Sequence, residues 1–180
     1  MQRRYFTRRR NRFRPLWVSF LILAVLIGVL YLLSAHLMFQ VTGSLPRGLY
    51  RVREAAAIEK GDLVVLDMPQ EAARLARRRG WIPRSLRYRL MKPVAAAAGD
   101  RVEVTGAGVF INGKYFGPVQ PCDDLGLPLP AIREVFELGA GEFFVAAKNP
   151  RSFDSRYFGP VGRRRIRAVA TPVAVLGGLR

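Results

Sequence analysis

The chain of 180 residues holds one cysteine, Cys122, and one histidine, His36. A single cysteine excludes an intramolecular disulfide, so any exported part must be held by its apolar core. A single histidine, placed inside an apolar run, removes Ser-His-Asp and Cys-His catalysis and zinc sites of the His/Cys type. No phosphate-binding loop, dinucleotide fingerprint or internal repeat is present. Lysine is scarce as well: of 30 basic side chains only Lys60, Lys92, Lys114 and Lys148 are lysines.

What is abundant is apolar sequence without charge. Residues 16–39, LWVSFLILAVLIGVLYLLSAHLMF, carry no formal charge. As a helix, 24 residues would reach about 36 Å, enough for a hydrocarbon core of ~30 Å. The run predicts a transmembrane helix over 16–39. A cleaved signal peptide is the rival reading, with Val41 and Gly43 as its small residues, but its apolar region should be about 7–15 residues long.

Arg3, Arg4, Arg8, Arg9, Arg10, Arg12 and Arg14 precede the run with no acid among them. The excess of positive charge places residues 1–15 in the cytoplasm and residues 40–180 across a bacterial inner membrane, in the periplasm. From residue 40 onward 23 Lys and Arg face 13 Asp and Glu, a net +10. These charges are scattered or in short runs. They suit solvent or anionic lipid headgroups rather than nucleic acid, and no nucleic-acid partner is expected.

The outer segment reads as short strands and turns: strands at 61–67, 86–94, 141–149 and 166–170, a hairpin at 108–117 around Asn112-Gly113, and an irregular proline-rich loop at 118–132. Only 69–80, with Pro69 at its start and Gly80 at its end, reads as a helix on the surface. The fold class expected is mainly β, a small antiparallel β-domain with an N-terminal transmembrane helix and one short surface helix. Cys122 reads as a buried small hydrophobe, with an interchain disulfide as the alternative.

Directly after the apolar run stands VTGSLPRGLY (41–50). Ser44 there is either linker filler between Gly and Pro or a nucleophile on a stiff turn. With no histidine available, a lysine must take the proton. Lys92, in LMKPVAAAAG, is the one lysine with no other charge from Leu90 to Gly99. Desolvation there lowers its pKa toward the range of a general base; the alternative is a lysine whose stem packs and whose head reaches water.

Together these segments resemble the type I signal peptidase family, and within it the conjugative-transfer branch. TGSLPRGLYR (42–51) follows the anchor; LMKPVAAAAGDRVEV (90–104) is similar to the family's lysine box; NPRSFDSRYFGPV (149–161) is similar to its Ser-x-Asp-Ser-Arg box. The SLPRGLYR form points to the conjugative branch, as does a domain too short for a large second β-domain. The resemblance implies a serine endopeptidase with Ser44 as nucleophile and Lys92 as general base. It further implies an oxyanion hole from Thr42 and the Ser44 N–H, Ser152 bonded to the lysine, and Asp154 and Arg156 as a supporting pair. It implies no cofactor and no metal. The implied partners are the membrane and a membrane-tethered precursor, a propilin or other signal-peptide-bearing chain cut after small residues. An amine attacking the acyl-enzyme instead of water would cyclise a pilin. One departure stands out: Ala147-Lys148-Asn149 replace the Gly-Asp-Asn that often opens the last box. A non-enzymatic, membrane-anchored scaffold of a conjugation complex would share the anchor and charge, and only the Ser and Lys boxes separate it from the peptidase.

Overall fold

The computed structural model describes residues 14–34, 36–40, 43–81, 89–130 and 132–176. It divides into two units, Met1–Leu37 and Met38–Arg180.

The first unit holds helix α1, Arg14–Ser34. Pro15 falls in its first turn, where the missing N–H costs nothing. The described side chains of α1 are those of residues 16–29 and Tyr31, and its large apolar ones, among them Trp17, Phe20 and Leu21, are exposed. Among the described residues no helix is long and apolar enough to cross a membrane. The expected helix over 16–39 is also too long at its C-terminal end. Leu37–Gln40 form strand β1 instead, with alternating burial. Met38 packs on the cluster around Tyr50 and Gln40 is buried, which a strand's two-residue period allows.

The second unit continues with β2 (Arg47–Arg53), β3 (Leu63–Asp67), α2 (Gln70–Arg78), β4 (Arg89–Ala96), β5 (Arg101–Thr105), β6 (Gly108–Ile111) and β7 (Lys114–Gly117). Then come β8 (Glu134–Glu137), β9 (Glu142–Val145), a one-turn helix α3 (Ser155–Phe158), β10 (Val161–Gly162) and β11 (Ile166–Leu176). The mainly β, antiparallel class is as expected; its division into two sheets is not. One has seven strands in the order β1-β2-β11-β3-β4-β9-β10, the other four in the order β7-β6-β5-β8. β9 explains the division: Phe143 and Val145 face the cluster of Val64, Leu66 and Val94, while Phe144 turns to Val102, Val104 and Val109 of the four-stranded sheet.

Local chemistry accounts for the turns. Asn112 and Gly113 have φ of 51° and 74°, the pair of positive values that a two-residue hairpin of the favoured hand requires. Asp100 is buried and ties this hairpin to the preceding turn: it accepts from Asn112 Nδ2 at 2.8 Å, Ala97 N at 3.0 Å and Lys60 Nζ at 3.1 Å. Gly48 answers a steric demand of the sheet. It lies in β2 opposite β11, and a Cβ there would stand 2.2 Å from the Ala174 carbonyl oxygen. Helix α2 buries only Ala72 and Ala76 and is a surface helix, as its thin apolar stripe implies.

Candidate active site

Ser44 sits in the turn between β1 and β2, half-buried. Two side-chain hydrogen bonds, one local and one from far along the chain, fix this turn. Tyr50, fully buried, donates its hydroxyl to the Pro46 carbonyl at 2.8 Å. Asn149 Nδ2 donates to the Gly43 carbonyl at 2.9 Å. Thr42 lies outside the described residues.

Lys92 lies in the middle of β4, opposite Val64 of β3, and is 4% exposed. Its neighbours on the same face are Leu90 and Val94, two residues either way. Strand alternation turns Met91 to the other face, into the cluster with Tyr50 and Val65. Val94 belongs to the core cluster and does not line the cleft. Lys92 Nζ donates to Ser152 Oγ at 2.7 Å. Burial pulls the Lys92 pKa down to about 8; Asp154 opposes the fall and Arg156 assists it. Below the usual value of 10.5, the gain is concrete. At pH 7.5 about a quarter of the amine is neutral, against about one part in a thousand without the shift.

The segment carrying Ser152 is locked from behind. Asp154, Ser155 and Arg156 are fully buried. Asp154 caps α3 by accepting from Arg156 N at 3.2 Å, and also accepts from Ala147 N at 3.1 Å. Its carboxyl is pushed up by burial, against the pull of Arg156, Lys92 and the Ser152 hydroxyl. The Arg156 guanidinium pairs with Asp154 at 3.5 Å, donates to the Asn149 carbonyl at 3.1 Å and to the Ala147 carbonyl, and lies over the Phe116 ring. Ser155 drew no attention in the sequence, although it is the second serine of SFDSR. Its hydroxyl accepts from Val145 N at 3.0 Å and so ties α3 to β9.

Ser44, Lys92, Asn149 and Ser152 line one cleft of about 950 Å³. Asp154 and Arg156 stand outside that lining. Met68, Trp81, Leu90 and Phe153 supply an apolar wall, with the Trp81 and Phe153 rings edge to face at 5.0 Å. The opposite wall is the proline-rich loop, from Gln120 to Leu129. This loop is ordered by Asp123, which accepts from Arg79 at 2.5 Å and from the backbone of Leu125 and Leu127. Cys122 was read as a buried hydrophobe; it is exposed on this wall, where it forms a strand-like bridge to Pro128. Among the described residues no group of His, Cys, Asp and Glu could hold a metal ion.

A serine on a fixed turn, a buried lysine of lowered pKa and a hydroxyl that holds its amine are the parts a lysine-assisted serine hydrolase needs. The family described as signal peptidase, peptidase S26, matches residues 11–174, and the chain belongs to this family of peptidases. A plasmid transfer protein TraF of Escherichia coli is 38% identical over 159 residues, covering 83% of this chain and 88% of the relative. A conjugal transfer protein TraF of Agrobacterium tumefaciens is 36% identical over 141 residues, covering 73% and 78%. Among solved structures, a signal peptidase I of Enterococcus faecalis is 22% identical with a TM-score of 0.38, covering 64% of this chain and 97% of its own.

Proposed function

We propose that this chain is a membrane-anchored serine endopeptidase of conjugative transfer, with Ser44 as nucleophile and Lys92 as general base. Its substrate is an exported, signal-peptide-bearing precursor, and the kinship with TraF proteins favours a propilin. One observation carries the reading: a lysine buried to 4% exposure, bonded to Ser152, opens on the same cleft as Ser44.

Ser44 Oγ attacks the scissile carbonyl while neutral Lys92 takes its proton. The negative oxygen that forms is met by the Ser44 N–H and the Thr42 side chain. The Lys92 ammonium then protonates the leaving amine, the C–N bond breaks, and an acyl-enzyme remains. With an N-terminal signal peptide the departing amine is the new N-terminus of the mature chain, and water, deprotonated by Lys92, releases the signal peptide from Ser44; where the cut removes a C-terminal segment, the acyl group is the mature chain's own. An amine in place of water would join the two ends by transpeptidation and cyclise a pilin.

The anchor is part of the proposal. Residues 16–39 carry no charge, and seven arginines precede them. Helix α1 ends ten residues before Ser44, so the tether is short. This arrangement suits a catalytic domain in the periplasm, the N-terminus in the cytoplasm and a substrate held at the bilayer surface.

Ser44→Ala and Lys92→Arg should each abolish precursor processing in cells. Arginine keeps the charge but does not deprotonate in proteins. Processing that survives both substitutions would leave the chain a scaffold.

A further inference from the structure

We propose that Asn149 is a positioning residue that orients and polarises the backbone N–H of Ser44. This rests on the reading of Ser44 as nucleophile and concerns a residue to which that reading gives no role.

The Gly43 carbonyl and the Ser44 N–H belong to one peptide group. That group is planar, with its C=O and N–H pointing in opposite directions. Asn149 Nδ2 donates to the Gly43 oxygen at 2.9 Å across 106 residues of sequence. Fixing the oxygen fixes the direction of the N–H on the far side of the same plane. The bond also draws electron density toward the oxygen, so the N–H becomes a stronger donor, as in any chain of hydrogen bonds. An N–H that must meet a developing oxyanion gains on both counts.

Asn149 is built to deliver this bond. Its Oδ1 accepts from Arg151 N at 2.9 Å. A flipped amide would set its NH2 against that N–H and its oxygen against the Gly43 oxygen, so only one orientation satisfies both neighbours. Its carbonyl accepts from Ser152 N at 3.1 Å and from buried Arg156 Nη1 at 3.1 Å. Pro150 follows and holds its backbone out of the helical region. Asn149 thus stands between the guanidinium of Arg156 and the peptide before Ser44, and it couples the last box to the first.

The test uses the full-length protein in detergent micelles and a penem as probe. In acylation, Ser44 Oγ bonds to the lactam carbonyl carbon, the lactam C–N bond opens, and the Ser44 proton passes through Lys92 to the departing nitrogen. Asn149→Asp keeps an acceptor for Arg151 N–H, loses the donor and adds a charge; Asn149→Ala loses both donor and acceptor without adding charge. Rates are compared on the high-pH plateau, so that a carboxylate's effect on Lys92 drops out. Maximal acylation should fall by about 10- to 100-fold in both variants, the scale of a misplaced catalytic group. The half-saturating penem concentration should move by less than about threefold, and the pH limb of Asn149→Ala should stay where it is in the parent. A merely structural role would move binding, limb and Tm together. Should Asn149→Asp not fold, Asn149→Ala answers alone. Parental maximal acylation in the folded variant overturns the proposal, as does a loss confined to penem affinity. Ser44→Ala is the control: acylation that persists there overturns the nucleophile reading and this one with it. A dead Ser44→Ala beside an unimpaired Asn149→Asp overturns the Asn149 role alone.

Discussion

Lys92 Nζ lies 2.7 Å from Ser152 Oγ, although 60 residues separate them in sequence. The same hydroxyl serves the Asp154 carboxylate. Ser152 therefore holds the amine in place and stands between it and a buried negative charge. Ser152→Ala should lower kcat by about 10- to 100-fold, part of the 10²–10⁴ that a positioned base contributes. KM should change little, since no substrate contact is lost. Steady-state cleavage of a precursor peptide with alanine at the first and third positions before the cut measures both.

Arg156 and Asp154 predict a stability effect. Both side chains are 0% exposed. Removing one partner strands the other charge, at a cost of about 3–5 kcal/mol. Arg156→Met should accordingly lower Tm by on the order of 10 °C. The double variant Arg156→Met, Asp154→Leu should fall short of the sum of the single losses, because the pair is coupled. Thermal unfolding followed by circular dichroism checks this.

Lys92 predicts a pH dependence of stability. Its pKa falls from 10.5 in the open chain to about 8 in the fold. Between those values the unfolded chain holds a proton that the native protein lacks, so native stability rises with pH. Below about pH 8 the full cost of charging a buried amine is present. Lys92→Met should melt above the parent at pH 7, and the gap should narrow as pH climbs from 8 toward 10. A gap of constant size would mean that Lys92 titrates as a solvated lysine.

The residues of the candidate site were legible because their chemistry is local. A lysine alone in an uncharged segment reads as buried, and Lys92 is. Asn112-Gly113 reads as a tight turn because few residues tolerate two positive φ values. Other features depend on what lies across the fold. Arg47–Arg53 alternates charge with bulk but begins beside Pro46, and its strand exists because β11 pairs along its length. The face that Met91 takes is hidden in the sequence because a run of apolar residues conceals strand parity. Cys122 reads as a small hydrophobe by residue type, yet it is exposed, in a loop that Asp123 orders through Arg79 and backbone bonds. The bond from Asn149 to Gly43 joins residues that no spacing relates. The charge pattern around α1 bears on orientation in a membrane, which is a property of the bilayer as much as of the chain.

The rate at which a penem acylates Ser44, followed by intact mass from pH 6 to 10, addresses the nucleophile and its base together. The account predicts a rate that rises with pH through a single limb near 8, where Lys92 loses its proton. The adduct should map to Ser44 and be absent in Ser44→Ala, and Lys92→Arg should form it at a small fraction of the parental rate. A rate flat from pH 6 to 10, or an adduct on any other residue, would contradict it.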